Sequence, residues 1–245
     1  MKARYYLLLI GAFLSTSAFG ETIRVAAASD LRYVMPTLIE AFEKKHRQSN
    51  VEAVFGPSGR FFSQIQNGAP FHVFMSADIE YPQQLRERNS RHGEAVPYAL
   101  GSIALWHAQE HTPSLTDLEN ARRIAIANPQ TAPYGKMALA WLTQLDNGEA
   151  LTKHLVFAES AAQVAHLVRS GGAQIGISAL TVLNSAELAT FGRYSAIPID
   201  TGYVPIVQGM MLTEHGIMNE QAQHFFTFLR QDAGAIFQAH GFMLP

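Results

Sequence analysis

Ile23-Arg24-Val25-Ala26-Ala27-Ala28-Ser29 is an apolar run of strand length that stops on a serine, and how it is read decides the fold. Behind it, Leu31, Val34, Met35, Leu38, Ile39 and Phe42 recur at the spacing of one helix face, so the unit is a strand leading into an amphipathic helix. Ser29 stands where an N-cap would. The pattern returns at Val51 to Phe55, which runs into Gly56-Pro57-Ser58-Gly59 and a segment carrying Phe61, Phe62 and Ile65. It returns again at His72 to Met75, which ends in Ser76-Ala77-Asp78 before a helical Tyr81 to Arg88. Successive strand-to-helix units predict an α/β fold with a parallel sheet.

A second series follows. Ser102 to Trp106 reads as a strand, and Ile124 to Ala127 enters the long turn Asn128-Pro129-Gln130-Thr131-Ala132-Pro133-Tyr134-Gly135 before a helix with Met137, Trp141, Leu142 and Leu145. Val156 to Ala158 leads into a helix with Ala161, Val164, Ala165 and Val168 on one face. Ile175 to Ser178 and Tyr203 to Leu212 are strand-like, and the chain closes on a helical run through Ala222, Phe225, Phe226 and Leu229. With no linker between the two series, the expectation is two lobes joined by crossover strands, with a ligand cleft between them.

Composition fits that picture. A chain of 245 residues, 48% hydrophobic and 16% charged, is globular rather than disordered. Lys2 and Arg4, the apolar run Tyr5 to Phe13 and the small-x-small Ala18-Phe19-Gly20 read as a secretory leader cleaved after Gly20, with the bacterial periplasm as destination. Removing that leader changes the charge from 18 minus 20 to 16 minus 20, a net −4 that makes nucleic acid a poor partner. The absence of cysteine excludes thiol catalysis, disulfides and thiolate metal sites.

The strand-to-helix junctions carry the chemistry. A helix N-terminus presents backbone N–H groups without intrahelical partners and a partial positive charge, so it attracts an anion without any basic side chain. Ser29 and Ser58 supply such junctions from one series, and Tyr134-Gly135 and Ala161-Ala162 from the other. Hydroxyls at Ser29, Ser58 and Tyr134 add donors, and the small residues let a ligand approach the backbone. At roughly 1.5 to 3 kcal/mol per charge-assisted bond, six or seven such bonds exceed the roughly 8 kcal/mol of a micromolar complex. Taken singly, each serine also reads as an ordinary cap, Tyr134 as turn packing and the alanines as helix formers. The set points to a compact oxyanion.

These residues resemble the periplasmic molybdate-binding proteins of ABC transporters, which have the type II periplasmic binding fold. Val25-Ala26-Ala27-Ala28-Ser29 looks like that family's opening strand and first ligand serine, and Gly56-Pro57-Ser58-Gly59 like its second serine turn. Asn67-Gly68-Ala69-Pro70 with Val73-Phe74-Met75-Ser76-Ala77-Asp78, the loop Asn128-Pro129 to Pro133-Tyr134-Gly135, and the closing Gly241-Phe242 extend the resemblance from about residue 22 to the C-terminus. The resemblance implies lobe I at 21–101 and 208–245 and lobe II at 102–207. It implies that Ser29, Ser58, Tyr134 and the Ala161 N–H bind molybdate or tungstate, with Asp30, Gly59, Gly135 and Ala162 as further candidates. The metal would enter only within the oxyanion, with no other cofactor and no catalysis. A monomer delivering its ligand to an ABC transporter permease is the implied partnership.

The sequence departs from the pattern at several positions. Some relatives take their ligand tyrosine from the position of Ala179, so here it would be Tyr134. Pro57 replaces a serine, Asp30 follows Ser29 where many relatives are neutral, and Arg60 follows the second turn. Asp30, in the first helical turn, is expected to complement the helix dipole and point to solvent, as is Arg60. Other anions stay open: sulfate differs mainly in size, and phosphate would use Asp30 as a proton acceptor. A serine hydrolase is a remote alternative, because Arg60 stands where a nucleophile elbow needs glycine. The ten histidines show no recognisable metal spacing and read as surface or packing residues.

Overall fold

The structure is a computed structural model that describes residues 22–245, the Asp200 side chain excepted. The leader read at residues 1–20 lies outside the described residues. The strands are β1 (Thr22–Ala28), β2 (Asn50–Gly56), β3 (Val73–Ser76), β4 (Val96–Gly101), β5 (Ile103–His107), β6 (Ile124–Ala127), β7 (Leu155–Ala158), β8 (Ile175–Ala179), β9 (Arg193–Ala196) and β10 (Ile206–Leu212). They form two five-stranded sheets, ordered β2-β1-β3-β10-β4 and β7-β6-β8-β5-β9.

In each sheet the βα units pair in parallel: β1 with β2 and β3, and β6 with β7 and β8. The expected parallel pairing of the βα units is met, and the other strands run in the opposite sense. β10 runs antiparallel to β3 and β4, and β5 runs antiparallel to β8 and β9. The chain leaves the first sheet from β4 into β5 and returns from β9 into β10, so both sheets acquire reversed strands where the two halves join. β4 and β9 are also the strands that pattern reading does not find. β4 is an edge strand that carries Pro97, and β9 is an edge strand whose residues are largely exposed.

The central strands β3, β6 and β8 are fully buried because both of their faces are covered, whereas the edge strands β2 and β7 are partly exposed. One face of the first sheet is packed by helices Met35–Lys45 and Glu220–Gln231, where the ring of Phe42 lies 5.0 Å from Phe225 and 5.7 Å from Phe228. The opposite face is closed by Phe61, Ile65 and Leu85 from helices Ser58–Gln66 and Glu80–Arg88, packed on Ala26, Phe74 and Met211. In the second sheet, helices Pro133–Leu142 and Ala161–Arg169 pack on β5, β6 and β8. Gly135 allows the closest of these approaches: a Cβ there would stand 2.1 Å from the Ala127 carbonyl oxygen. The N-termini of three of these helices consequently face one another between the sheets.

Candidate functional site

Three bridges draw the junctions of the two halves together. The Gly59 N–H donates to the Thr131 carbonyl at 2.9 Å, joining the Ser58 turn to the loop before Tyr134. Arg60 forms an ion pair with Glu159, joining the same turn to the loop before Ala161. The Tyr134 hydroxyl donates to Oδ2 of Asp30 at 2.9 Å, joining that loop to the residue after Ser29. These bridges link the four sequence-derived junctions pairwise across the two halves.

The serines are not helix caps. Ser29 begins a 3-10 turn, Ser29–Tyr33, and Ser58 begins its helix, and neither side chain caps a backbone N–H of that element. The buried Ser58 Oγ instead accepts the Ala77 N–H at 3.0 Å. That bond uses a lone pair and leaves the hydroxyl proton to donate elsewhere. The Ala161 carbonyl accepts from Ser178 Oγ at 2.8 Å, which anchors the start of its helix. As first-turn residues, Tyr134, Ala161 and Ala162 have N–H groups with no intrahelical acceptor, and these groups supply the positive ends of two helix dipoles.

The expectation for Asp30 is corrected, whereas that for Arg60 is met. Asp30 is 1% exposed rather than solvated, because the 3-10 turn directs its side chain inward against the other half. Its Oδ2 accepts from Tyr134 and, at 2.8 Å, from Gln208 Nε2, while Oδ1 makes no hydrogen bond among the described residues. Burial pushes the carboxyl from its ordinary 3.8 up to about 6, against the smaller opposing effect of its hydrogen bonds. Arg60 is exposed, as expected, and its guanidinium pairs with Glu159 across the cleft. Gly59 and Gly135 serve packing: a Cβ on Gly59 would lie 3.0 Å from both the Thr131 carbonyl oxygen and the Tyr81 hydroxyl, and Gly135 meets Ala127.

Tyr134 differs from expectation as well. Its hydroxyl donates to Asp30 and accepts from Gln208 Nε2 at 2.7 Å, so the first-turn backbone N–H is the donor that these bonds do not use. Burial, reinforced by the Asp30 charge, holds the phenol well above its ordinary range and keeps it a donor. Gln208 was not found by pattern reading. It lies fully buried in the returning strand β10, where the register shifts, and its Oε1 accepts from the Tyr98 hydroxyl. Gly101, at the end of β4, makes room, since a Cβ there would stand 2.5 Å from the Tyr134 oxygen. A buried glutamine inside an otherwise apolar strand was the available signal.

Two α/β halves with reversed joining strands and opposed helix N-termini define a two-lobed binding protein of the type II periplasmic fold. The family model described as bacterial extracellular solute-binding protein matches residues 23–243, and the chain belongs to that family. It is 34% identical over 251 residues to the molybdate-binding protein ModA of Azotobacter vinelandii, covering 99% of this chain and 98% of the relative. Identity to the Rhodobacter capsulatus molybdate-binding protein ModA is 33%, covering 96% and 93% of the two chains. The solved Azotobacter vinelandii periplasmic molybdate-binding protein superimposes with a TM-score of 0.80 at 30% identity, over 91% of this chain and 99% of that one.

Proposed function

We propose that this protein captures molybdate, and tungstate equally, in the periplasm and delivers it as a closed monomer to an ABC transporter permease. The observation that carries the reading is the convergence of the four junctions, tied by the Asp30–Tyr134, Gly59–Thr131 and Arg60–Glu159 bridges. In this account the Ser29 and Ser58 hydroxyls and the N–H groups at Tyr134, Ala161 and Ala162 donate to the oxyanion, while Asp30 and Gln208 hold Tyr134 in place. Lobe I is 21–101 with 208–245 and lobe II is 102–207, a division supported by the sheet membership of β1 to β4 with β10 and of β5 to β9. Ligand contacts from both lobes favour the closed state by differential affinity, and closure is what the permease reads.

Thermal unfolding in the presence of molybdate, tungstate, sulfate or phosphate tests the ligand class. At about a hundred times the dissociation constant a true ligand adds about 2.7 kcal/mol, or a midpoint rise of roughly 5 to 11 °C for a chain of this size. The expected result is a rise with molybdate and tungstate alone. A rise with sulfate or phosphate in their place would reassign the ligand, and no rise with any of the four would remove the oxyanion reading.

A further inference from the structure

The outer end of the second sheet holds a group of side chains that the anion cradle does not use. His107 is the last residue of β5, His111 lies in the loop that follows, and Asp117 sits in the short helix Leu115–Glu119. The two histidines stand four residues apart in His107-Ala108-Gln109-Glu110-His111, a His-x-x-Glu-His spacing, and the fold brings the ligand atoms of all three residues within 4.8 Å of one another. His107 Nε2 stands 3.2 Å from His111 Nε2, and His111 Nε2 stands 3.1 Å from Asp117 Oδ1. The other oxygen, Oδ2, accepts from the Ser114 N–H at 2.8 Å and from Ser114 Oγ at 2.6 Å. Those bonds fix the carboxylate and leave Oδ1 directed at the histidines.

The His107 ring is buried and its Nδ1 makes no hydrogen bond among the described residues, so its polar chemistry runs through Nε2. Three atoms that all carry lone pairs thus converge. His111 Nε2 holds at most one proton, and that proton cannot point well at both His107 and Asp117. Charging both rings instead would set two cations side by side. A single divalent cation satisfies all three atoms together. Metal–ligand distances of 2.0 to 2.1 Å in a tetrahedral zinc site place neighbouring ligand atoms about 3.3 Å apart, close to the two separations found.

We propose that His107, His111 and Asp117 form a binding site for a divalent transition cation of the zinc class, with the fourth tetrahedral position open to water. Two imidazoles and one carboxylate suit zinc rather than magnesium or calcium, which prefer all-oxygen shells. Ser114 is the positioning residue that orients the carboxylate.

The test titrates Zn²⁺ into untagged, chelator-stripped protein against a chromophoric competitor, and follows Co²⁺ by visible absorption. One Zn²⁺ per chain is expected to bind at micromolar or tighter concentration, unaffected by millimolar Mg²⁺, and Co²⁺ is expected to give the intense bands of tetrahedral coordination. His111→Ala, at a partly exposed loop position that does not carry the fold, is expected to weaken Zn²⁺ binding at least about tenfold and abolish those bands, with the metal-free thermal midpoint unchanged. Asp117→Asn should weaken Zn²⁺ binding similarly while also loosening the Ser114 cap, and His154→Ala at an exposed site should leave binding as it was. Absence of Zn²⁺ binding, or unchanged affinity and cobalt spectrum in His111→Ala, would overturn the proposal.

Discussion

At Asp30 the cost of burying a carboxylate is set against four hydrogen-bond donors, and the cost wins. Tyr134 and Gln208 both donate to Oδ2, and the backbone N–H groups of Asp30 and Leu31 ease the charge, yet the group still holds its proton up to about pH 6. Its folded value lies above its ordinary 3.8, so the folded chain binds more protons between those limits. The stability Asp30 contributes is therefore fully present below about pH 3.8 and is lost as pH rises through about 6. A rise of about two units corresponds to roughly 3 kcal/mol as an upper figure. Asp30→Asn keeps an oxygen for Tyr134 and Gln208 and removes the charge. It is expected to melt above the parent at pH 8, with the difference closing toward pH 4, and calorimetry across that range checks it. A variant that melts below the parent at pH 8 would mean that the ionised carboxylate is needed to hold Tyr134 and Gln208. The same residue shows where sequence reading stops: an acid in a first turn ordinarily faces water, and only the inward direction of the 3-10 turn places it against Tyr134.

At the scale of elements, the strand-to-helix units were legible because apolar runs and helical periodicity are local properties of the chain. β4 and β9 were not, since a proline and an exposed face remove the signal that a strand usually carries. The junctions were legible as a set of small and hydroxyl residues, whereas the role of Gln208 depends on which strands return beside which. Gly135 gives this level a test. Its expected role was to admit a ligand, but the helix Pro133–Leu142 approaches β6 so closely that a Cβ would meet the Ala127 oxygen at 2.1 Å and its carbonyl carbon at 2.6 Å. Backbone atoms cannot step aside as a flexible side chain does. Gly135→Ala is expected to cost about 1 to 3 kcal/mol or more through overpacking, read as a lower unfolding midpoint. An unchanged midpoint would show that the helix is free to shift outward.

For the whole molecule, the direct bridges show two halves that close without needing a strong surface latch. The Arg60–Glu159 pair lies on the cleft rim, with side chains 55% and 41% exposed, so solvent screening limits its value to about 0 to 1 kcal/mol. Arg60→Ala is accordingly expected to weaken molybdate binding by less than about fivefold, and added salt should have a similarly small effect. A loss of a hundredfold would place the guanidinium on the anion itself. The central claim is that buried neutral donors from both lobes hold the oxyanion, and Ser58 tests it most directly, because the bond it accepts from Ala77 fixes its Oγ and leaves its proton free to donate. The measurement is the molybdate dissociation constant of Ser58→Ala against that of the parent by calorimetric titration. Loss of one charge-assisted bond, about 1.5 to 3 kcal/mol, is expected to weaken binding at least tenfold while the fold survives, and unchanged affinity would contradict the account.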